Sequence, residues 1–116
     1  MAYEKDIKER TKKYAIEIIK LSREFKKYKV DFALVDQFLR SGTSIGANVR
    51  EAKASSTRKE LIRFYEIALR SANETEYWIE IIEEGYELKI EKMIYMKAEL
   101  VEISKVLGKI ILNLKN

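Results

Sequence analysis

Apolar side chains recur at alternating spacings of three and four residues along four long segments of the 116-residue chain, and this pattern limits the possible folds most. Such spacing puts the apolar side chains on one stripe of an α-helix, and that stripe has to be buried against other helices. The stripes are, in chain order, Ile7, Thr11, Tyr14, Ile18, Leu21, Phe25 and Tyr28; Val35, Phe38, Gly42, Ile45, Val49 and Ala52; Leu61, Tyr65, Ala68, Ala72, Thr75, Ile79 and Ile82; and Met93, Met96, Leu100, Ile103, Leu107, Ile110 and Leu114. The chain contains no proline, so no residue forces a break within these segments.

Local signals mark the ends of the predicted helices. Asp31 is a favoured N-cap residue, and Thr57 with Glu60 has the spacing of a capping box. Gly85 stands where a left-handed residue can end the third helix in a Schellman motif, with Tyr86 folding back onto the helix. We predict helices over about residues 4–28, 31–54, 57–84 and 89–115.

The connections between these helices are only a few residues long, so consecutive helices must run antiparallel. We therefore predict an all-α fold, an antiparallel up-down-up-down four-helix bundle. A chain of 116 residues is the size of one ordinary domain, and we expect residues 1–116 to form a single domain.

Two missing residue types exclude much of enzymology. The chain has no cysteine and no histidine, which removes thiolate nucleophiles, the usual general base and the commonest metal ligand. Two-metal sites in helix bundles ordinarily use a Glu-x-x-His motif, which needs a histidine. We expect no metal, no cofactor, no small-molecule substrate and no enzymatic activity. The amino terminus becomes charged at once and no apolar run could span a bilayer, so we expect a cytoplasmic protein without a membrane partner.

A run of small and polar residues interrupts the middle of the second helix, from Ser41 to Asn48. Each glycine in a helix costs about 1 kcal/mol relative to alanine, so some interaction must offset Gly42 and Gly46. One interpretation is close packing against small residues of the third helix, namely Ala68, Ser71, Ala72 and Thr75. The other is a kink, or a polar pocket formed by Ser44, Asn48 and Glu74.

Two segments of the chain, residues 41–52 and 59–76, resemble the four-helix-bundle family encoded in ribosomal-RNA intervening sequences, the 23S rRNA intervening-sequence protein family. Many relatives have Ser-Ile-Pro where this chain has Ser44-Ile45-Gly46; proline would impose a kink and glycine only permits one. The resemblance gives a structural rather than a catalytic role to its motif positions. These are Gly42, Ser44, Gly46, Asn48, Glu51, Glu60, Phe64, Glu74 and Glu76.

The resemblance also implies an assembly and a class of partner. Members of the family form homo-oligomers, typically a five-fold ring, so it implies a pentamer without enzymatic activity. The family is similar in fold to the accessory variability proteins of diversity-generating retroelements, which bind a reverse transcriptase and RNA through basic surfaces. The expected partner is therefore RNA or a reverse-transcriptase-like protein.

The apolar residues are too widely spread to be buried in one four-helix core. Ile62, Ile67 and Trp78 lie off the main stripe of the third helix, and Ile94, Val101 and Ile111 form a second line on the fourth. Exposed apolar patches usually mark contact surfaces, which predicts self-association. The alternatives are a module that docks another protein on these faces without nucleic acid, or scattered surface residues.

Positive charge is concentrated at one end of the predicted bundle. There the end of helix two and the start of helix three meet, bringing together Arg50, Lys53, Arg58, Lys59 and Arg63. The same end collects Lys5, Lys8, Arg10, Lys12, Lys109 and Lys115, against Glu4 and other carboxylates. We predict that the five central cations bind nucleic acid; a solvated mosaic of charges is the alternative.

Overall fold

Four α-helices make up nearly all of the chain in the structure, a computed structural model that describes the backbone of residues 2–116 and the side chains of residues 6–116. They are α1 (Ala2–Lys27), α2 (Phe32–Lys53), α3 (Arg58–Gly85) and α4 (Glu91–Lys115). The described residues contain no strand, which confirms the predicted all-α class. The helices form a rod with principal extents of 44 × 22 × 19 Å.

Each helix packs against two others. α1 lies against α2 and α4, and α3 lies against α2 and α4, while the diagonal pairs do not meet within the part of the chain that is described. Short connections at residues 28–31, 54–57 and 86–90 join helices that are neighbours in space. This arrangement is the predicted antiparallel up-down-up-down bundle.

The core consists of the predicted stripes. Phe25 of α1 and Phe38 of α2 meet edge to face, with ring centroids 5.2 Å apart. The buried Tyr14 hydroxyl donates to the backbone oxygen of Met96 at 2.9 Å and so joins α1 to α4. Burying a large apolar side chain contributes roughly 1.5–3 kcal/mol. Tyr28 departs from its stripe because α1 ends before it, and its side chain is 54% exposed.

The prediction that Gly85 takes the left-handed conformation was wrong. Gly85 is the last residue of α3, and the left-handed residue is Glu87, with φ 52°. The backbone N–H of Leu88 donates to the oxygen of Glu83 at 3.0 Å, the long hydrogen bond of a Schellman motif. The left-handed residue thus lies two positions later than predicted, and Tyr86 contacts the start of α2.

Tyr86 forms two hydrogen bonds with Asp31, the residue that precedes α2. The Tyr86 hydroxyl donates to Asp31 Oδ2 at 2.7 Å and accepts from the Asp31 backbone N–H at 2.9 Å. Asp31 therefore occupies the predicted N-cap position, but its side chain makes no capping bond to α2. At the start of α3 the predicted cap is present, since Thr57 Oγ1 accepts from the backbone N–H of Glu60 at 3.1 Å.

The small residues of α2 serve two different interfaces. α2 runs without a break through Gly42 and Gly46, and both glycines face α1 rather than α3, contrary to the packing interpretation. A Cβ atom at Gly42 would lie 2.4 Å from Ile18 Cδ1, and one at Gly46 would lie 3.1 Å from the backbone oxygen of Thr11. The glycines therefore set how closely α1 approaches α2.

Serine and threonine hydroxyls join α2 to α3. Ser71 Oγ donates to Ser44 Oγ, and Thr75 Oγ1 lies within hydrogen-bond distance of Ser41 Oγ, both at 3.0 Å. These side chains satisfy one another in a region that is mostly closed to water.

Candidate nucleic-acid interface

Five cations lie at the end of the bundle where α2 finishes and α3 begins. Arg50 and Lys53 belong to the last turn of α2, and Arg58, Lys59 and Arg63 follow in the first turns of α3. The short connection between the two helices keeps both groups at one end, and all five side chains are exposed. The structure therefore brings together the residues that the sequence analysis selected.

None of these five cations is paired with a described carboxylate. Arg58 Nε donates to the backbone oxygen of Leu114 at 2.9 Å, which ties α3 to the end of α4. The other four, Arg50, Lys53, Lys59 and Arg63, form no ion pair with any described side chain. Their charges are therefore available to an anion in solution.

The remaining cations predicted for this end have varied surroundings. Arg10 is paired with Glu99 through two hydrogen bonds of 2.7 and 2.8 Å, and the bond to Glu99 raises the pKa of Arg10. Lys115 is paired with Glu66 at 2.8 Å. Lys5 and Glu4 lie outside the described side chains. Arg10 and Lys115 thus contribute less free charge than the sequence analysis assumed.

A cleft of about 400 Å³ between α1 and α2 adjoins this end. Three cations surround it, Lys8 and Lys12 from α1 and Arg50 from α2, together with one carboxylate, Glu51. Ala15, Thr43, Gly46 and Ala47 complete its lining. The sequence predicts Lys8 and Lys12 at the basic end; the cleft that they share with Gly46 depends on the contact of Gly46 with α1, which the sequence does not predict.

Comparison with known proteins decides the family. The family model described as 23S rRNA-intervening sequence protein matches residues 4–109. The chain belongs to the 23S rRNA-intervening sequence protein family. A solved crystal structure of a protein of unknown function from the S23 ribosomal protein family of Bacteroides thetaiotaomicron is 36% identical, with a TM-score of 0.88 over 94% of this chain and 97% of that one. No curated protein matches the chain significantly.

The intervening-sequence motif positions on α2 lie on different faces. Gly42 and Gly46 meet α1, Ser44 meets α3, and Glu51 lines the cleft. Asn48 Nδ2 donates to the backbone oxygen and the hydroxyl of Ser44, at 2.8 and 2.9 Å.

The motif positions on α3 are mainly structural or exposed. The backbone N–H of Glu60 is bound by the Thr57 cap, and Phe64 packs half-buried against the core. Glu74 accepts from Trp78 Nε1 at 3.0 Å on the surface, and Glu76 is exposed. Glu74 therefore does not join Ser44 and Asn48, and the alternative interpretation, a polar pocket of those three residues, does not hold within the described chain.

An apolar line follows the outer face of α4 in this family member. Ile94 is 67% exposed, Val101 42% and Leu112 60%; Ala98 lies between the first two, and the polar Ser104 and Lys105 separate Val101 from Gly108 and Leu112. Ile111 was predicted to belong to this line, but its side chain is buried in the core beside that of Ile110. On α3 the exposed apolar surface centres on Tyr77.

The residues that the structure describes also bear on two other kinds of site. None of the helices combines the length and apolar character that a bilayer crossing requires. Across residues 6–116 no three acidic side chains converge closely enough to hold a metal ion.

Proposed function

We propose that this protein is a non-enzymatic homo-oligomeric scaffold that binds RNA through its basic end. The observation that supports the proposal is the group Arg50, Lys53, Lys59 and Arg63, exposed and without ion pairs among the described side chains. Such cations bind phosphate oxygens and release counterions from the nucleic acid. The descriptions of the family and of its Bacteroides member both refer to ribosomal components, which is consistent with an RNA partner.

The two ends of the bundle differ in charge balance. At the opposite end the five cations Arg23, Lys26, Lys27, Lys29 and Lys89 are matched by Glu80, Glu83, Glu84, Glu87 and Glu91, and Lys89 shares its surface clefts with four of these carboxylates. At the basic end Glu66 is paired with Lys115, and the exposed carboxylates of Glu51 and Glu60 are outnumbered by Arg50, Lys53, Lys59 and Arg63. A polyanion therefore meets less repulsion at the basic end.

Homo-oligomerisation would multiply this surface. A single chain offers only a few phosphate contacts, whereas several copies arranged about one axis would present their basic ends together and raise the effective concentration of sites. A pentamer, as the family resemblance implies, would present five copies of each cation.

The test of RNA binding is a titration of fluorescently labelled RNA at several salt concentrations. In the end variant, Arg50, Lys53, Lys59 and Arg63 are replaced by Glu; Arg58 is kept because it holds the end of α4. The matched control replaces Arg23, Lys26, Lys27 and Lys89 by Glu, which changes the net charge equally at the opposite end. Lys29 is left unchanged because its φ is 59°.

The proposal predicts that affinity of the natural chain falls steeply with added salt, with a slope of about −0.7 per phosphate contact on a single strand. The end variant should bind at least about tenfold more weakly and show a shallower salt slope. The control variant should retain most of the affinity. Equal losses in the two variants, or an affinity independent of salt, would contradict RNA binding at this end.

A second candidate function is protein docking on the apolar faces of α3 and α4. The exposed line from Ile94 to Leu112 and the exposed Tyr77 favour it. A partner held there should remain bound to the tagged protein after nuclease treatment and in high salt. A partner held through RNA should be released by the nuclease.

A further inference from the structure

We propose that the cleft between α1 and α2 binds a single ribonucleotide unit, with its phosphate at Lys8, Lys12 and Arg50. The inference deepens the proposed function, because the cleft adjoins the basic end and shares Arg50 with it. Apart from Arg50, the two proposals depend on different residues, so an experiment can contradict one and support the other.

The cleft is lined by positively charged side chains, which favour binding of an anion. Lys8 and Lys12 are one helical turn apart on α1, where like charges repel each other, and Arg50 faces them from α2. None of the three forms an ion pair with a described side chain, and among the described lining residues Glu51 is the one carboxylate. A phosphate placed among the cations would relieve their repulsion and accept hydrogen bonds from all three.

The shape of the cleft suits a small ligand better than a bare ion. Its volume of about 400 Å³ lies within the range of clefts that bind small molecules. Ala15, Gly46 and Ala47 line it with little side-chain bulk, and a Cβ atom added at Gly46 would lie 3.1 Å from the Thr11 backbone oxygen. A sugar or base can lie against these residues while the phosphate remains among the cations.

Two oxygen acceptors in the lining favour a ribose over a deoxyribose. The Glu51 carboxylate can only accept hydrogen bonds, and the Thr43 hydroxyl proton is already donated to the backbone oxygen of Leu39 at 2.8 Å. Both groups can therefore accept hydrogen bonds from a ligand, and ribose hydroxyls supply the donors. A 2′-hydroxyl is the group that distinguishes an RNA unit from a DNA unit.

The test is a titration of isotope-labelled protein followed by amide chemical shifts. The probes are adenosine 5′-monophosphate, its 2′-deoxy analogue and inorganic phosphate, at low salt. We expect the ribonucleotide to shift the amides of Thr43, Gly46 and Ala47 and to bind more tightly than the other two probes. Equal binding of all three probes, or shifts spread over the basic end without a focus at the cleft, would overturn the inference.

Variants separate this site from the basic end. Replacing Lys8 and Lys12 by Met keeps their aliphatic stems and should weaken ribonucleotide binding about tenfold or more, because charge-assisted hydrogen bonds are lost. Replacing Lys53, Lys59 and Arg63 by Glu should leave ribonucleotide binding nearly unchanged while reducing binding of a long RNA. If the first variant binds the mononucleotide as the natural chain does, the cleft is not the site, whatever happens to RNA.

A third variant tests recognition of the sugar. Glu51→Gln keeps the shape of the side chain and provides an amide donor in place of one acceptor oxygen. It should bind the deoxynucleotide and the ribonucleotide with more similar affinities. An unchanged preference for the ribonucleotide would contradict the role given to Glu51.

Discussion

Gly42 and Gly46 determine how closely the first two helices approach each other. A Cβ atom at Gly42 would overlap the fully buried Ile18, whose whole side chain lies in the way. The sequence showed that two glycines one turn apart needed an offsetting interaction, but not which neighbour supplied it. The rotation of α2 about its axis decides which neighbouring helix each small residue contacts. Ser41 and Ser44 form hydrogen bonds with α3, so the glycines face α1.

Gly42→Ala should therefore destabilise the protein, although alanine is the better helix former. Alanine gains about 1 kcal/mol of helix propensity, whereas overpacking a filled core costs about 1–3 kcal/mol. We expect a net loss of about 1 kcal/mol in the free energy of unfolding, measured by urea denaturation.

Gly108→Ala is the matched control. Gly108 is also within a helix, but a Cβ atom there would meet nothing within 4 Å. This substitution should stabilise the protein by up to about 1 kcal/mol. A change of stability in the same direction for both substitutions would contradict the close contact of α1 with α2 at Gly42.

At the scale of the helices, local signals predicted most of the architecture. The alternating apolar spacing identified all four helices, and Thr57 identified the start of α3, because both signals act within a few residues. Asp31 precedes α2 as predicted, but its side chain binds Tyr86 instead of capping the helix, and Gly85 is not left-handed. Such a contact between distant segments leaves no local signal.

An ion pair between Glu17 of α1 and Lys92 of α4 makes the bundle sensitive to acid. The Lys92 ammonium lowers the pKa of Glu17 below its ordinary value of 4.5. A carboxylate with a lowered pKa in the folded state stabilises the fold fully above about pH 4.5, and this contribution is lost as the pH falls through the lowered value.

The free energy of unfolding should thus fall below about pH 4.5, and Glu17→Gln should make that fall less steep. The control is Glu9→Gln, at an exposed position on α1, which should keep the steepness of the natural chain. Urea denaturation at several pH values measures the effect. Identical pH profiles for the natural chain and the Glu17 variant would show that this pair does not stabilise the fold.

At the scale of the whole molecule, the basic end could be predicted because helix order alone decides which helix ends meet. The cleft could not, since it depends on the close contact at Gly46 that brings Lys8 and Lys12 toward Arg50. The outer line of α4 was found only in part: Ile94 and Val101 are exposed as expected, and Ile111 is buried.

This outer line is the surface through which we expect copies of the chain to associate. Ile94→Glu with Val101→Glu would put two charges into an apolar contact and should leave a folded chain of lower mass. Ile16→Glu with Ile19→Glu, on an exposed part of α1, is the control and should keep the mass of the natural protein. Light scattering after gel filtration measures the mass, and circular dichroism checks that each variant is folded.

The most direct test of the account is the mass of the protein–RNA complex, measured by sedimentation velocity with labelled RNA and saturating protein. We predict one principal species in which several copies of the chain share one RNA, and its loss when Arg50, Lys53, Lys59 and Arg63 are replaced by Glu. A complex with a single copy of the chain, or one that survives those replacements, would contradict an oligomeric scaffold that holds RNA by its basic ends.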